Sequence, residues 1–294
     1  MRVFVTGASG FIGSAILREL LGAGHHVTGL ARSDAAARAV AAAGAEVLRG
    51  ALDDLDSLRR GAAASQGVIH TAFIHDFSNF AASCEADVRA IEALGGALEG
   101  TGHPLVVTGG TLGLPPGRVG TEDDTPGTHL PRASEATGLA FASRGVRASC
   151  IRLSPSVHGD GDHGFVPQLV ALARKQGAAV YIGDGQNRWP AVHRLDAAVL
   201  YRLALEHGAA GARFHGVADE GIPIRAIADI IGKRLGVPTV SKSPEEAASL
   251  LGFIGMALAM DGPASSALTQ QRLGWRPTQV GLIEDLERGT YFDA

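Results

Sequence analysis

The chain has 294 residues, of which 46% are hydrophobic, 19% charged and 5% aromatic, and its net charge is −4. This is the balance of a soluble globular protein, long enough for one large domain or a core with a smaller lobe, and able to bury that core without disulfides. The negative charge gives no support to a nucleic-acid partner, and no apolar run reaches membrane-spanning length; the longest, residues 250–260, holds glycines and stops at Asp261. Val3-Phe4-Val5 reads as a buried strand at the very start, so no signal peptide and a cytoplasmic protein are expected. A glycine-rich segment, Thr6-Gly7-Ala8-Ser9-Gly10-Phe11-Ile12-Gly13, leads into a helix over residues 11–21. Strands follow at 27–31, 47–48, 67–70, 104–108 and 148–153, separated by helices at 34–43, 53–60, 80–98 and 134–143. This alternation predicts βαβ units, and hence a parallel, doubly wound sheet with helices on both faces. Beyond residue 153 the pattern loosens into helix 165–175, strand 179–182, the turn Gly183-Asp184-Gly185, helix 195–206, strand 213–217 and helix 224–235. A further helix opens at Ser243, a candidate cap, with Pro244 in its first position.

Ligands of such sheets sit outside the carboxyl ends of the strands. Those ends are the loops after Val5, Ala31, Ile69, Val107 and Leu153. In the first of them, Gly7 can take the dihedrals of a tight strand-to-helix turn. Gly10 lets amide groups approach a diphosphate, and Gly13 lets the helix close on the sheet. The helix start adds free donors and partial positive charge. A glycine triplet in that context is a dinucleotide-binding signal.

Later segments add to it: Leu52-Asp53, Ile69-His70-Thr71-Ala72, the run from Arg152 to Gly159, Val192-His193-Arg194-Leu195-Asp196, and Leu273-Gly274-Trp275-Arg276-Pro277. In this order and spacing they resemble the extended and atypical branch of the short-chain dehydrogenase/reductase superfamily, the NAD-dependent epimerase/dehydratase family, over nearly the whole chain. They look like its TGxxGxxG fingerprint, adenine-contacting acid, strand-four stretch, "RP-x-x-VYG" (with His158 in the tyrosine slot), "VHVDD" and "LGWxP". The resemblance implies an α/β Rossmann-type core over residues 1–157 and a small, mainly substrate-binding C-terminal lobe over 158–294, of which about 192–217 returns to the core. It implies cofactor contacts at Gly7, Ser9, Gly10, Phe11, Ile12, Gly13, Leu52, Asp53, Thr71, Ala72 and Thr108. It also implies a homodimer through the helices at 80–98 and 134–143.

The end of the second strand reads Leu30-Ala31-Arg32-Ser33-Asp34. An acid there suits a free ribose 2′-hydroxyl, and an arginine suits a 2′-phosphate. Arg32 can fork onto phosphate and Ser33 can donate as well, so NADP(H) is expected over NAD(H). Asp34 could instead cap the next helix.

The family's usual tyrosine, with a lysine four residues later, is missing. None of Tyr181, Tyr201 and Tyr291 has that partner, and residues 127–135 contain neither type. Asp87 stands where many relatives have asparagine. The expected activity is hydride transfer to a small ketone, aldehyde or imine with another proton donor. Thr111, His129, His158 and His193 are the candidates, because histidine exchanges protons near neutrality and a hydroxyl can relay one. His163 is a further histidine of the same loop. The alternatives are a dinucleotide-binding sensor without turnover and a nucleotide-sugar epimerase.

No metal is expected, since the Asp and Gly residues at 158–163 are those of a tight loop, either a mobile one over the nicotinamide hinged on its glycines or a plain surface loop. Cys84 and Cys150 read as small buried or helix-face residues. Trp189 and Phe165 either cover an apolar substrate or belong to the core, and Arg188-Trp189-Pro190 reads as a shaped turn. Glu122-Asp123-Asp124 reads as a solvated loop. Asp196 either pairs with His193 or occupies the first turn of its helix.

Overall fold

The computed structural model describes residues 1–76, 79–127 and 131–293. Strand and helix alternate through its first half: β1 (Arg2–Thr6), α1 (Phe11–Gly22), β2 (His26–Ala31), α2 (Asp34–Ala42), β3 (Glu46–Arg49), α3 (Leu55–Ala63), β4 (Gly67–His70), α4 (Phe80–Gly96), β5 (Pro104–Gly110), α5 (Ser134–Ala140) and β6 (Arg147–Leu153). A 3-10 turn, Phe141–Arg144, extends α5 and ends at Gly145 in the left-handed region. The second half comprises β7 (Ser156–His158), α6 (Phe165–Gln176), β8 (Ala179–Ile182), β9 (Arg188–His193), α7 (Arg194–His207), β10 (Ala212–Gly216), β11 (Asp219–Pro223), α8 (Ile224–Leu235), β12 (Thr239–Lys242), α9 (Pro244–Leu251), α10 (Phe253–Leu258), α11 (Ala267–Leu273) and α12 (Leu282–Arg288).

Seven strands form one parallel sheet in the order β10-β6-β5-β4-β1-β2-β3. Its strands are apolar on both faces because both are covered. Val3, Val5, Ile69, Val106 and Ile151 pack under α1 and α7. Phe4, Val68, Leu105, Val107 and Cys150 pack under α3 and α4. Cys84 is buried as well. Chain order reverses direction between β1 and β4, so a crevice opens where the loops after these two strands part. The Rossmann-type reading of the first half therefore holds.

The second half does not form a separate body. α7 packs on α1, and β10 pairs with β6 as the sheet's outermost strand. Beside these lie a three-stranded sheet, β11-β9-β7, and the pair β12-β8. They enclose a core of their own around Trp189, with Val166, Ile224, Ile227 and Leu282. Trp189 and Phe165 meet edge to face within it, 5.2 Å between ring centres.

Two local expectations fail. Arg188-Trp189-Pro190 is strand, not turn, because Trp189 and Ala191 alternate inward into that core. Pro190 brings no N–H, and β11 shifts register between Asp219 and Ile222 opposite it, so no acceptor is stranded there. The acidic run at 122–124 is not a solvated loop. Glu122 is buried and its Oε1 accepts from the Thr269 amide and hydroxyl, both at 2.6 Å. Asp123 meets Arg272 at 2.7 Å, and Asp124 pairs with Arg118 and accepts from the Thr121 amide. No helix among the described residues is long and apolar enough to cross a membrane.

Candidate active site at the strand ends

The glycine turn is built by close approaches that leave no space for side chains. Gly7 sits at φ +71°, and a Cβ there would lie 2.8 Å from both the Ala72 nitrogen and Thr71 Oγ1. The turn is thus pressed against the end of β4. A Cβ on Gly13 would lie 2.0 Å from the Gly7 carbonyl oxygen, so the first turn of α1 rests on the loop itself. Gly10 donates to that same carbonyl at 2.9 Å. No side chain caps α1 and no acid occupies its first turn. The amides of Phe11, Ile12 and Gly13 therefore meet no acceptor among the described residues. Exposed Ser9 and Gly10 flank them. Free donors, a helix start and a cradle that any Cβ would fill suit the diphosphate of a dinucleotide.

Next to the glycine turn in the sheet lie the ends of β2 and β3. Arg32 is exposed. Ser33, rather than Asp34, caps α2: its Oγ accepts from the Ala36 amide at 3.2 Å, which leaves its hydroxyl hydrogen free. Asp34 is ion-paired to Arg49 at 2.6 Å. Leu52 is half-buried against the α3–α4 core. Asp53 is exposed, and its neighbour Asp54 caps α3 through the Ser57 amide.

Beneath the crevice runs a buried polar chain. Thr6 Oγ1 accepts from the Ala72 amide and lies 2.7 Å from His70 Nδ1, to which it donates. His70 Nε2 then donates to Asp87 Oδ1 at 3.0 Å. Ser134 donates to Asp87 Oδ2 at 2.5 Å and accepts from Arg132 Nε at 3.0 Å. Arg132 Nη2 donates to the Thr108 carbonyl at 3.1 Å, and its guanidinium lies 4.5 Å over the Phe73 ring. Burial pushes the Asp87 carboxyl up, but the hydrogen bonds from His70 and Ser134 and the nearby charges hold it below the ordinary carboxylate range. The Thr108 hydroxyl donates to the His70 carbonyl and touches the Tyr201 hydroxyl at 2.7 Å, while that of Thr71 donates to the Thr6 carbonyl. Burial pushes the Tyr201 phenol well up, so it stays neutral.

Of the expected proton donors among the described residues, His158 and His193 meet each other, while Thr111 bonds elsewhere. Thr111 is fully buried, and its hydroxyl donates to the Leu153 carbonyl at 3.4 Å; it offers nothing to the crevice. His158 is also fully buried, its Nδ1 2.8 Å from Asp285 and its Nε2 without a partner among the described residues. His193 is half-buried and meets His158 edge to face, 5.3 Å between ring centres. Its Nδ1 accepts from the Leu195 amide at 3.2 Å, which leaves the proton on Nε2. Burial, then the neighbouring His158, pushes its pKa below the ordinary histidine value. His129 lies outside the described residues. Asp196 does not pair with His193. It accepts from the Thr278 and Gln279 amides, and its carbonyl takes the Trp275 indole, so it fastens the C-terminal stretch to α7.

The loop over residues 159–164 folds back on the glycine turn. His163 meets Phe11 edge to face at 5.8 Å, and Arg194 stacks on the same ring at 4.8 Å while donating to the Asp160 carbonyl. Tyr291 anchors this loop, accepting from the Gly159 amide and donating towards Asp285 and Asp162. Burial pushes the Asp162 carboxyl up to about 6.

Arg132 and Ser134 stand in the same stretch, residues 127–135, that lacks the family's tyrosine and lysine. Asp87 in place of asparagine was the one outward sign of the chain that joins them.

The profile of the NAD dependent epimerase/dehydratase family matches residues 3–111. An uncharacterized protein of Schizosaccharomyces pombe is 54% identical over 99% of this chain and 100% of its own length. The 2-alkyl-3-oxoalkanoate reductase of Stenotrophomonas maltophilia is 29% identical over 83% of this chain and 78% of its own. Among solved structures, a dTDP-glucose 4,6-dehydratase from Streptomyces venezuelae with NAD bound superposes with a TM-score of 0.79 at 22% identity, over 99% of this chain and 96% of that one.

Proposed function

The chain belongs to the NAD-dependent epimerase/dehydratase family, and we propose that it is an NADP(H)-dependent reductase acting on a small ketone, aldehyde or imine. The observation that carries this reading is the cradle of Gly7, Gly10 and Gly13 with its three unspent amides. Ser9, Phe11, Ile12, Thr71, Ala72 and Thr108 complete the contact along the crevice. Leu52 and Asp53 stand at the adenine end.

The preference for NADP(H) rests on Arg32 and on the pairing of Asp34 with Arg49. The one acid at the end of β2 is spent on an arginine, so Arg32 and the Ser33 hydroxyl face a 2′-phosphate without a competing carboxylate. When bound, the nicotinamide supplies a hydride to the substrate carbon. The protein's part is to orient the substrate, hold its oxygen and provide a proton. Of the four donors expected from sequence, His193 keeps a ring N–H outside any hydrogen bond among the described residues, and it is the proposed source. Two relatives support reduction rather than epimerisation by their names: the oxoalkanoate reductase and a ketoreductase of Stigmatella aurantiaca, 24% identical. A homodimer through α4 and α5, in the cytoplasm, belongs to the same proposal.

Buried Thr111 and His158 favour a second reading, a dinucleotide sensor without turnover. One experiment separates the two. NADPH and NADH are titrated against the protein, and NADPH absorbance is then followed with a panel of ketones, aldehydes and imines. Tighter NADPH binding and oxidation by one class support the reductase. Tight binding with no oxidation supports the sensor, and no binding of either nucleotide removes both. Arg32→Ala should bring the two affinities together. His193→Gln should slow turnover roughly 10²–10⁴-fold.

A further inference from the structure

Arg132 is held as a receptor would be held. Its guanidinium is fixed at three points: the Ser134 hydroxyl, the Thr108 carbonyl at the end of β5, and the face of Phe73 just beyond β4. Both strand ends border the crevice beside the glycine turn. Of an arginine's five N–H donors, two are used in those bonds, and the other three meet no acceptor among the described residues.

No carboxylate touches it among the described residues, although the ionised Asp87 behind Ser134 attracts it. Arg152 and Arg213 share Glu135 and Arg202 meets Glu19 and Glu206, whereas half-buried Arg147 and Arg194 are held by backbone carbonyls alone. Among the described residues Arg132 has no carboxylate in ion-pair contact. The nearest along its hydrogen-bond path, Asp87, is separated by Ser134 and already accepts from Ser134 and His70. A rigid, half-buried fork with spare parallel donors matches a carboxylate, which accepts two such bonds side by side.

We propose that Arg132 binds a carboxylate on the substrate, so that the site selects oxo acids over neutral carbonyl compounds. This rests on the reductase reading for its substrate class, but the anion site itself does not require turnover. Asp87, Ser134 and His70 act behind it as positioning residues: they fix the guanidinium through Ser134 and leave its outer N–H donors open.

The test uses acetoacetate and 3-oxohexanoate against their methyl esters, bound to the NADP+-loaded protein, where no hydride is available to transfer. Calorimetry should show each acid binding at least tenfold tighter than its ester. Arg132→Gln should remove that difference and Arg132→Lys retain part of it, with NADP+ affinity unchanged in both. A second measurement needs no variant. Acetoacetate, but not its ester, should protect Arg132 of the natural protein from phenylglyoxal, read by peptide mass. Equal binding of acid and ester, discrimination that survives Arg132→Gln, or labelling that ignores the acid overturns the proposal. If NADP+ fails to bind, the reductase reading falls, and the same titrations on the protein alone still decide the anion site.

Discussion

Gly13→Ala and Gly22→Ala place the same methyl group at the two ends of α1, and opposite outcomes are expected. At Gly13 the new Cβ would stand 2.0 Å from the Gly7 carbonyl oxygen and 2.7 Å from its carbon. Ordinary contact begins near 3.4 Å, so the turn must open by about 1.4 Å, and both sides of the gap are backbone with no rotamer to yield. Overfilling a packed site costs roughly 1–3 kcal/mol. The same displacement carries the first-turn amides out of hydrogen-bond range of a diphosphate, and each bond to a charged group contributes about 1.5–3 kcal/mol. NADPH affinity should therefore fall about a hundredfold or more. Gly22 meets nothing within 4 Å and lies at an ordinary φ, so alanine there should stabilise the protein by roughly 0.4–1 kcal/mol. NADPH fluorescence titration and urea unfolding read both effects. A Gly13→Ala protein that binds NADPH within threefold of the natural one would refute the cradle argument.

Removing Asp87 as Asp87→Ala strands the His70 ring N–H and the Ser134 hydroxyl in the interior, and urea unfolding should show a loss of roughly 2–4 kcal/mol, partly recovered in Asp87→Asn. Glu135→Ala leaves fully buried Arg152 without its carboxylate and should cost about 3–5 kcal/mol in the same measurement. Although burial acts to raise it, Arg152 and Arg213 hold the Glu135 carboxyl below its ordinary 4.5, so its contribution is present above that pH and lost as pH falls through the lowered value; Glu135→Gln should lack this acid-side loss. Asp162 has the opposite sign. Its pKa is raised from 3.8 to about 6, so its protonated form supports the fold fully below 3.8, and that support is lost as pH rises through 6. Unfolding free energies measured from pH 4 to 7.5 should show the natural protein losing ground to Asp162→Asn across that window, and parallel curves would count against it.

Much of the core was legible because its signals are local. β4 and α8 fall where apolar runs and flanking breakers place them, and Ser243 forms a full capping box with Glu246. The glycine turn was legible for the same reason, since its three glycines and the helix they open lie within a dozen residues. The chemistry beneath it was not. His70, Asp87 and the Arg132–Ser134 pair come from three separate stretches and meet only because β4, α4 and the start of α5 pack together. His158 and Asp285 are 127 positions apart, and no spacing rule links them. β9 misled because Trp-Pro mimics a turn, whereas its meaning depends on a bulge in a strand 30 residues downstream.

The return of α7 and β10 to the central sheet has a consequence for how this protein can be divided. A fragment ending at residue 157 would not be a free-standing nucleotide module. It would expose the apolar side of α1 and leave β6 as a bare edge, inviting association through both. Any exchange of the lobe for another specificity must therefore carry α7 and β10 as part of the recipient scaffold. The graft points fall on either side of them, near residues 155 and 193 and again after 217.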